Sequence, residues 1–299
     1  MKRRPSWIFV YCLTASTLTA AALLAALGLI VGQSLPVFVH SGIDFILGSE
    51  WYYRDQLFGA LPMIYGTVAV SAIALILALP IGVGSAVFAS EYMPRSSRLF
   101  FKSTVELLAG VPSVIYGLIG VLFVREWVYR GLEPFDPISG DSLLTAGILL
   151  AVMILPTVTT LSDDALRSIP SGQRAAARSL GLTRAETILR VVLPQAAPGI
   201  LTASLLGLGR AMGETIAVFL VVGRQDNQLP GNPFSLEALI SPGQTLTSKL
   251  GGPEVHIAYG DPLHWAALLG LSLILLLLVG LCLTGAYVFR RFMRKGAPV

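Results

Sequence analysis

Residues 171–194 read SGQRAAARSLGLTRAETILRVVLP. Pro170 breaks the helix before this stretch, and Ser171 is placed to cap a short helix running through Leu180. Gly181 fits the left-handed position at which such a helix stops. Thr183 and Glu186 have capping-box spacing, so a second helix starts there and runs toward Leu193. Two short helices therefore meet at a glycine. The first presents Ala176, Ala177 and Leu180 among Arg174 and Arg178, a small apolar knob ringed by positive charge. Two uses fit that shape: insertion into a groove on a partner, or rest on anionic headgroups as an interfacial helix.

On both sides of the stretch the chain turns apolar for lengths that suit a bilayer. A spanning helix needs about 20 mostly apolar residues. Charge-poor tracts of that kind fall at residues 7–31, 61–90, 105–124, 142–161, 196–222 and 263–289. With 54% hydrophobic and only 13% charged residues, the chain is far from the composition of a soluble domain. Its mean hydropathy of +0.74 agrees. The expectation is an all-α membrane protein of six transmembrane helices, since helices satisfy their own backbone in lipid. No Asp, Glu, Lys or Arg lies between Arg4 and Asp44. A cleaved leader is the rival for the first tract, but the apolar run exceeds the usual ~7–15 residue core of one, so this helix is expected to stay.

Lys and Arg decide the orientation. Three lie in residues 1–6, three in 91–102, five in 163–194 and four in 290–295, so fifteen share one side. The other side holds five: Arg54, Arg125, Arg130, Arg224 and Lys249. Both termini are therefore expected in the cytoplasm. The corresponding division is residues 1–60 for the first helix and first outer loop, 61–290 for the permease domain with its loop 163–194, and 291–299 for a cytoplasmic tail.

Several function classes drop out. The net charge of +4 comes without a basic stripe interleaved with aromatics, so nucleic acid is not indicated. Cys12 and Cys282 both sit in apolar tracts, which argues against a disulfide framework or a thiolate metal site. His40, His256 and His264 lie apart, with no nucleophile or metal constellation around them, so neither catalytic nor metal-binding residues are assigned and no cofactor is expected. No G-x-x-x-x-G-K-[ST] string occurs, so the chain lacks a phosphate-cradling loop for ATP. Pro62, Pro80 and Pro112 fall in or near spans, where proline kinks helices but is also tolerated. The outer loop 223–262 carries Gln225, Asn227, Gln228 and Asn232 among prolines and glycines, which suits an irregular external segment. It is either a surface for an external protein or a plain solvated loop.

Arg210 and Glu214 lie within tract 196–222. A lone charge at the bilayer centre costs about 2.5–3.5 kcal/mol on insertion scales. Their i, i+4 spacing puts them on one helical face, where they can pair. Gly199, Ala203, Gly207 and Ala211 recur every four residues and allow close helix contact. Arg210 either offers an anion a binding station, oriented by Glu214 and flanked by Thr215, or serves a bundle-locking ion pair.

The string RAAARSLGLTRAETILRVVLPQAAPGI, residues 174–200, resembles the EAA loop of binding-protein-dependent ABC importer permeases. Ala176, Ala177, Gly181, Leu193 and Pro194 match that pattern, while Ala175 stands where the family has Glu. The resemblance implies a type I ABC importer permease fold and a coupling helix that docks a separate ATPase through Arg174, Ala175, Ala176, Ala177, Leu180, Gly181 and Leu182. GLGRAMGETIAVFLVVG at 207–223 and AGVPSVIYGLIG at 109–120 are similar to spans of the phosphate-specific PstC-type permeases. This implies phosphate import across the cell inner membrane, with Arg210, Glu214 and Thr215 on the path. The implied partners are a PstA-like second permease, two copies of a PstB-like ATPase, a PstS-like external phosphate-binding protein and membrane lipid. Alternatives are a permease for molybdate or sulfate, the PstA-type subunit itself, and an ATP-independent channel or secondary transporter.

Overall fold

The computed structural model describes residues 7–135, 137–233 and 235–295, with the side chains of Ala286 and of residues 289–295 left out. The basic residues at 2–4 and residues 296–299 of the expected tail lie outside the described residues. In chain order the elements are α1 (Trp7–Ser41), α2 (Asp44–Leu47), a hairpin of β1 (Trp51–Tyr52) and β2 (Leu57–Phe58), α3 (Leu61–Glu91), α4 (Arg95–Ala109), α5 (Ser113–Ile119), α6 (Arg125–Gly131) and α7 (Leu143–Arg167). Then follow α8 (Ser171–Ser179), α9 (Arg184–Thr187), α10 (Leu193–Gly213), α11 (Ile216–Val221), α12 (Leu236–Ile240), α13 (Leu246–Leu250), α14 (Glu254–Ala258) and α15 (Pro262–Lys295).

Five described helices are long and apolar enough to cross a membrane: Trp7–Ser41, Leu61–Glu91, Leu143–Arg167, Arg184–Gly213 and the first part of α15, Pro262–Gly285. A sixth crossing requires the pair Arg95–Ala109 and Ser113–Gly131, which is bent by 87°. The third span expected at 105–124 thus covers residues 95–131 and is a broken one. Its cause is local: α4 stops at Gly110, and Pro112, extended at ψ 137°, has no N–H to continue the ladder.

The centre of the molecule is α3 against α7. On α3, Gly66, Val70, Ala74, Ala78, Gly82 and Ala86 are all buried at four-residue intervals. Lipid tails are as apolar as leucine, so helices associate in a bilayer by close van der Waals packing rather than by escape from water. The stripe supplies that closeness: a Cβ on Gly82 would meet Val158 Cγ1 of α7 at 2.9 Å. The stripe expected at Gly199, Ala203, Gly207 and Ala211 packs α10 on the same helix, where a Cβ on Gly207 would meet Val158 Cγ2 at 3.0 Å. Thus α7 is gripped from both sides by small-residue faces.

The outer-loop expectation holds in part. Residues 223–262 are largely irregular, as expected, with three short helices, α12, α13 and α14, set among them, but residues 242–249 are buried rather than solvated.

Candidate functional site

The fifth tract does not run as one helix. Helix α10 ends at Gly213; Glu214 is extended (φ −75°, ψ 123°), and α11 restarts at Ile216. The break removes the i, i+4 geometry that would have joined Arg210 to Glu214, and no ion pair joins them among the described residues. Glu214 instead turns forward, its Oε1 accepting the Ala217 N–H at 3.5 Å. Arg210 lies off the Gly199–Ala211 stripe on an exposed face. Its Nη1 donates to Thr157 Oγ1 at 3.2 Å and its Nη2 to the Ala109 carbonyl at 3.5 Å. Two helix interruptions therefore meet around one guanidinium, the α10–α11 break and the α4–α5 bend, beside Thr157 of the unbroken α7. Thr215 is half-buried beside the break.

Sequence reasoning missed Thr157 and Ala109 as partners of Arg210. The signal for Thr157 was present, since three threonines in residues 157–160 are unusual inside an otherwise apolar tract. Nothing local marks the Ala109 carbonyl, which is freed by the bend.

In the loop, the punctuation is as read from sequence at two points. Gly181 is left-handed at φ +84°. Thr183 Oγ1 accepts the Glu186 N–H at 3.3 Å while Glu186 Oε2 accepts the Thr183 N–H at 2.9 Å. Two points differ. Ser171 is the first residue of α8 and makes no capping bond. The helix that begins at Arg184 does not stop near Leu193 but continues to Gly213, through a π-helical turn at Ile188–Val192. The wider turn shifts the hydrogen-bond register just ahead of Pro194, which cannot donate. Asp163, expected at the start of the loop, is instead buried in α7, and neither carboxylate oxygen has a hydrogen-bond partner among the described residues.

The candidate docking residues divide into two sets. Ala175, Ala176 and Gly181 are exposed, and Leu180 is 84% exposed. Leu182 is half-buried. Arg174 and Ala177 face the chain's own body, Ala177 at only 5% exposure. Arg174 Nε and Nη2 donate to Glu91 Oε1 at 3.1 and 2.9 Å, and Nη1 and Nη2 to the Ile169 and Leu166 carbonyls at 2.5 and 2.8 Å. The next residue of α3's end, Tyr92, carries the Arg184 guanidinium over its ring at 4.5 Å. Arg174 is therefore tied to the end of α3 and of α7 rather than standing on the outer face of α8.

A family model described as "Binding-protein-dependent transport system inner membrane component" matches residues 78–295. The chain belongs to that family of ABC importer permeases. Among its relatives are the phosphate transport system permease protein PstC of Mesorhizobium japonicum, 35% identical over 93% of this chain and 90% of that one. The PstC of Pasteurella multocida is 35% identical over 93% and 86%, and the probable ABC transporter permease YqgH of Bacillus subtilis 36% over 83% and 79%. Among solved structures, a bacterial alginate ABC transporter superposes with TM-score 0.63 at 15% identity, covering 96% of both chains. The methionine transporter MetNI gives 0.59 at 19%, covering 77% of this chain and 93% of that one. At such identities these structures speak for the fold alone. The permease is thus a multi-pass inner-membrane protein of the type I ABC importer fold.

Proposed function

We propose that this permease is the PstC-type subunit of a phosphate importer, with Arg210 as the anion station of its translocation path. The substrate class rests on one observation: Arg210 offers a permanently charged guanidinium, with no carboxylate partner among the described residues, where two helix interruptions converge. A charge in that position is costly unless a ligand uses it. Its planar donors match a tetrahedral oxyanion. Phosphate, rather than sulfate or molybdate, is favoured by relatives of matching length that carry the PstC name.

On this reading both termini are cytoplasmic, residues 61–290 form the permease domain, and the path is completed by a PstA-like permease. Phosphate arrives from a PstS-like external binding protein. The exposed residues Ala175, Ala176, Leu180 and Gly181 meet a PstB-like ATPase, two copies of which supply the energy. Ala175 removes the carboxylate that the family pattern places there, and Leu182 supports the turn from within.

The test is uptake of labelled phosphate by proteoliposomes holding the whole complex, with sulfate and molybdate as competitors. Arg210→Ala is expected to lose at least 100-fold in rate, the scale of one or two charge-assisted bonds to the substrate, while the complex still copurifies. Normal uptake by Arg210→Ala would remove the station, and stronger competition by sulfate or molybdate would reassign the substrate.

A further inference from the structure

The outer loop does something a solvated connector does not: part of it is driven into the bundle. Within α13, Leu246, Thr247, Ser248 and Lys249 are each under 5% exposed. A helix this short leaves most of its backbone groups without intrahelical partners, so its burial requires partners from the surrounding protein. The segment is held on one side by α3, where Thr67 Oγ1 accepts the Leu246 N–H at 2.9 Å. Gly66 makes that approach possible, since a Cβ there would overlap the Gln244 carbonyl. Thr67 lies six residues into α3, so the contact sits about 9 Å below the helix start.

On its other side, α13 meets the α10–α11 break. The Thr247 hydroxyl donates to the Glu214 carbonyl at 2.8 Å, the group that the break releases from the helical ladder. Gly251 lies so close to Thr215 that a Cβ would overlap Thr215 Cγ2, and a Cβ on Gly252 would touch Phe219 of α11 at 3.5 Å.

The far end of α13 is pinned by an ion cluster around the buried Lys249. Lys249 Nζ donates to Asp226 Oδ2 at 2.6 Å and also to Glu254 Oε2, and lies 4.9 Å from the Trp51 ring. Glu254 Oε1 accepts the Trp51 Nε1–H at 2.6 Å and meets His264 Nε2 of α15 at 2.9 Å. Two carboxylates and an aromatic face offset the cost of burying the ammonium. The β-hairpin, outer loop and α15 are thereby one unit with α13.

We infer that α13 is a re-entrant support behind the translocation path and that Thr247 is a positioning residue, holding the Glu214–Thr215 break so that Arg210 faces the path. The inference rests on the reading of Arg210 as the anion station. Displacement at the outer surface reaches the station through Lys249, α13 and the Thr247–Glu214 bond, without any contact between the outer loop and the substrate.

The experiment compares Thr247→Val and Thr247→Ser in the complete importer in proteoliposomes, measuring uptake of labelled inorganic phosphate and ATP hydrolysis. Valine keeps the shape and removes the donor, so maximal uptake is expected to fall about tenfold, the rate equivalent of one buried hydrogen bond. The half-saturating concentration of the external binding protein should stay unchanged, and serine should restore the rate. Unchanged uptake in Thr247→Val overturns the inference, as does a loss that serine fails to restore. If Thr247→Val does not assemble, Thr247→Cys, a weak donor of similar size, takes its place with the same expected pattern. Arg210→Ala, run beside them, separates the two levels. Normal transport there ends the station reading, whereas loss there with normal Thr247→Val ends only the role of α13.

Discussion

Exchanging Glu91 for glutamine asks whether Arg174 anchors α8 or touches a partner. Glu91 and Arg174 side chains are 7% and 17% exposed, so their pair is largely desolvated. Breaking a buried pair by removing one member costs about 3–5 kcal/mol, because the other charge stays buried. In Glu91→Gln the guanidinium keeps the Leu166 and Ile169 carbonyls. The expected cost is therefore lower, about 2–3 kcal/mol. Arg174→Met loses those carbonyl bonds as well and leaves Glu91 bare, so about 3–5 kcal/mol is expected. Both variants act on the same contact, and the double variant Glu91→Gln/Arg174→Met should lose about 1.5–3 kcal/mol less than the sum. A loop loosened by 2–3 kcal/mol is in its docked geometry about 30- to 150-fold less often. Copurification of the ATPase and the thermal midpoint of the purified complex should both fall, and fall together. If Arg174→Met lost the ATPase while Glu91→Gln left both measurements unchanged, Arg174 would be a direct docking contact and the anchor argument would be refuted.

Two further outcomes follow from single glycines. At Gly181, φ is +84° and a Cβ would meet nothing within 4 Å, so Gly181→Ala carries only the backbone cost of about 1–2 kcal/mol; Gly181→Asn, which tolerates that conformation, should retain more ATPase in the same pull-down. At Gly82, a side chain would press on Val158 of α7, so Gly82→Val should destabilise the permease by about 1–3 kcal/mol, read as a lower thermal midpoint in detergent, whereas Gly84→Ala, with open space around its Cα, should not.

What could be read along the chain was whatever depends on neighbours a few residues away. The capping box of Thr183 and Glu186 and the left-handed Gly181 are local devices, and both stand in the structure. The apolar tracts were equally legible, since length and charge alone qualify a helix for a bilayer. The Gly66–Ala86 stripe was present in the sequence as plainly as the Gly199–Ala211 stripe, yet its meaning needed α7 as the surface it grips.

The site was legible only in part. Arg210 stood out because a charge in an apolar tract is conspicuous, but its partner was misassigned. Spacing of four residues predicts a pair only while the helix is intact, and the helix stops at Gly213. Arg174 was misplaced for a related reason: sequence shows that a helix carries arginines, not which of them turns toward Glu91, 83 residues away. Composition and local spacing thus determined that the chain is a bundle of membrane helices with a helix–glycine–helix loop. Tertiary structure alone decided where the spans break, which arginine is tied to Glu91 and which meets only neutral acceptors, and that α13 lies inside the bundle, because each of these depends on desolvation and hydrogen-bond closure between segments far apart in the chain.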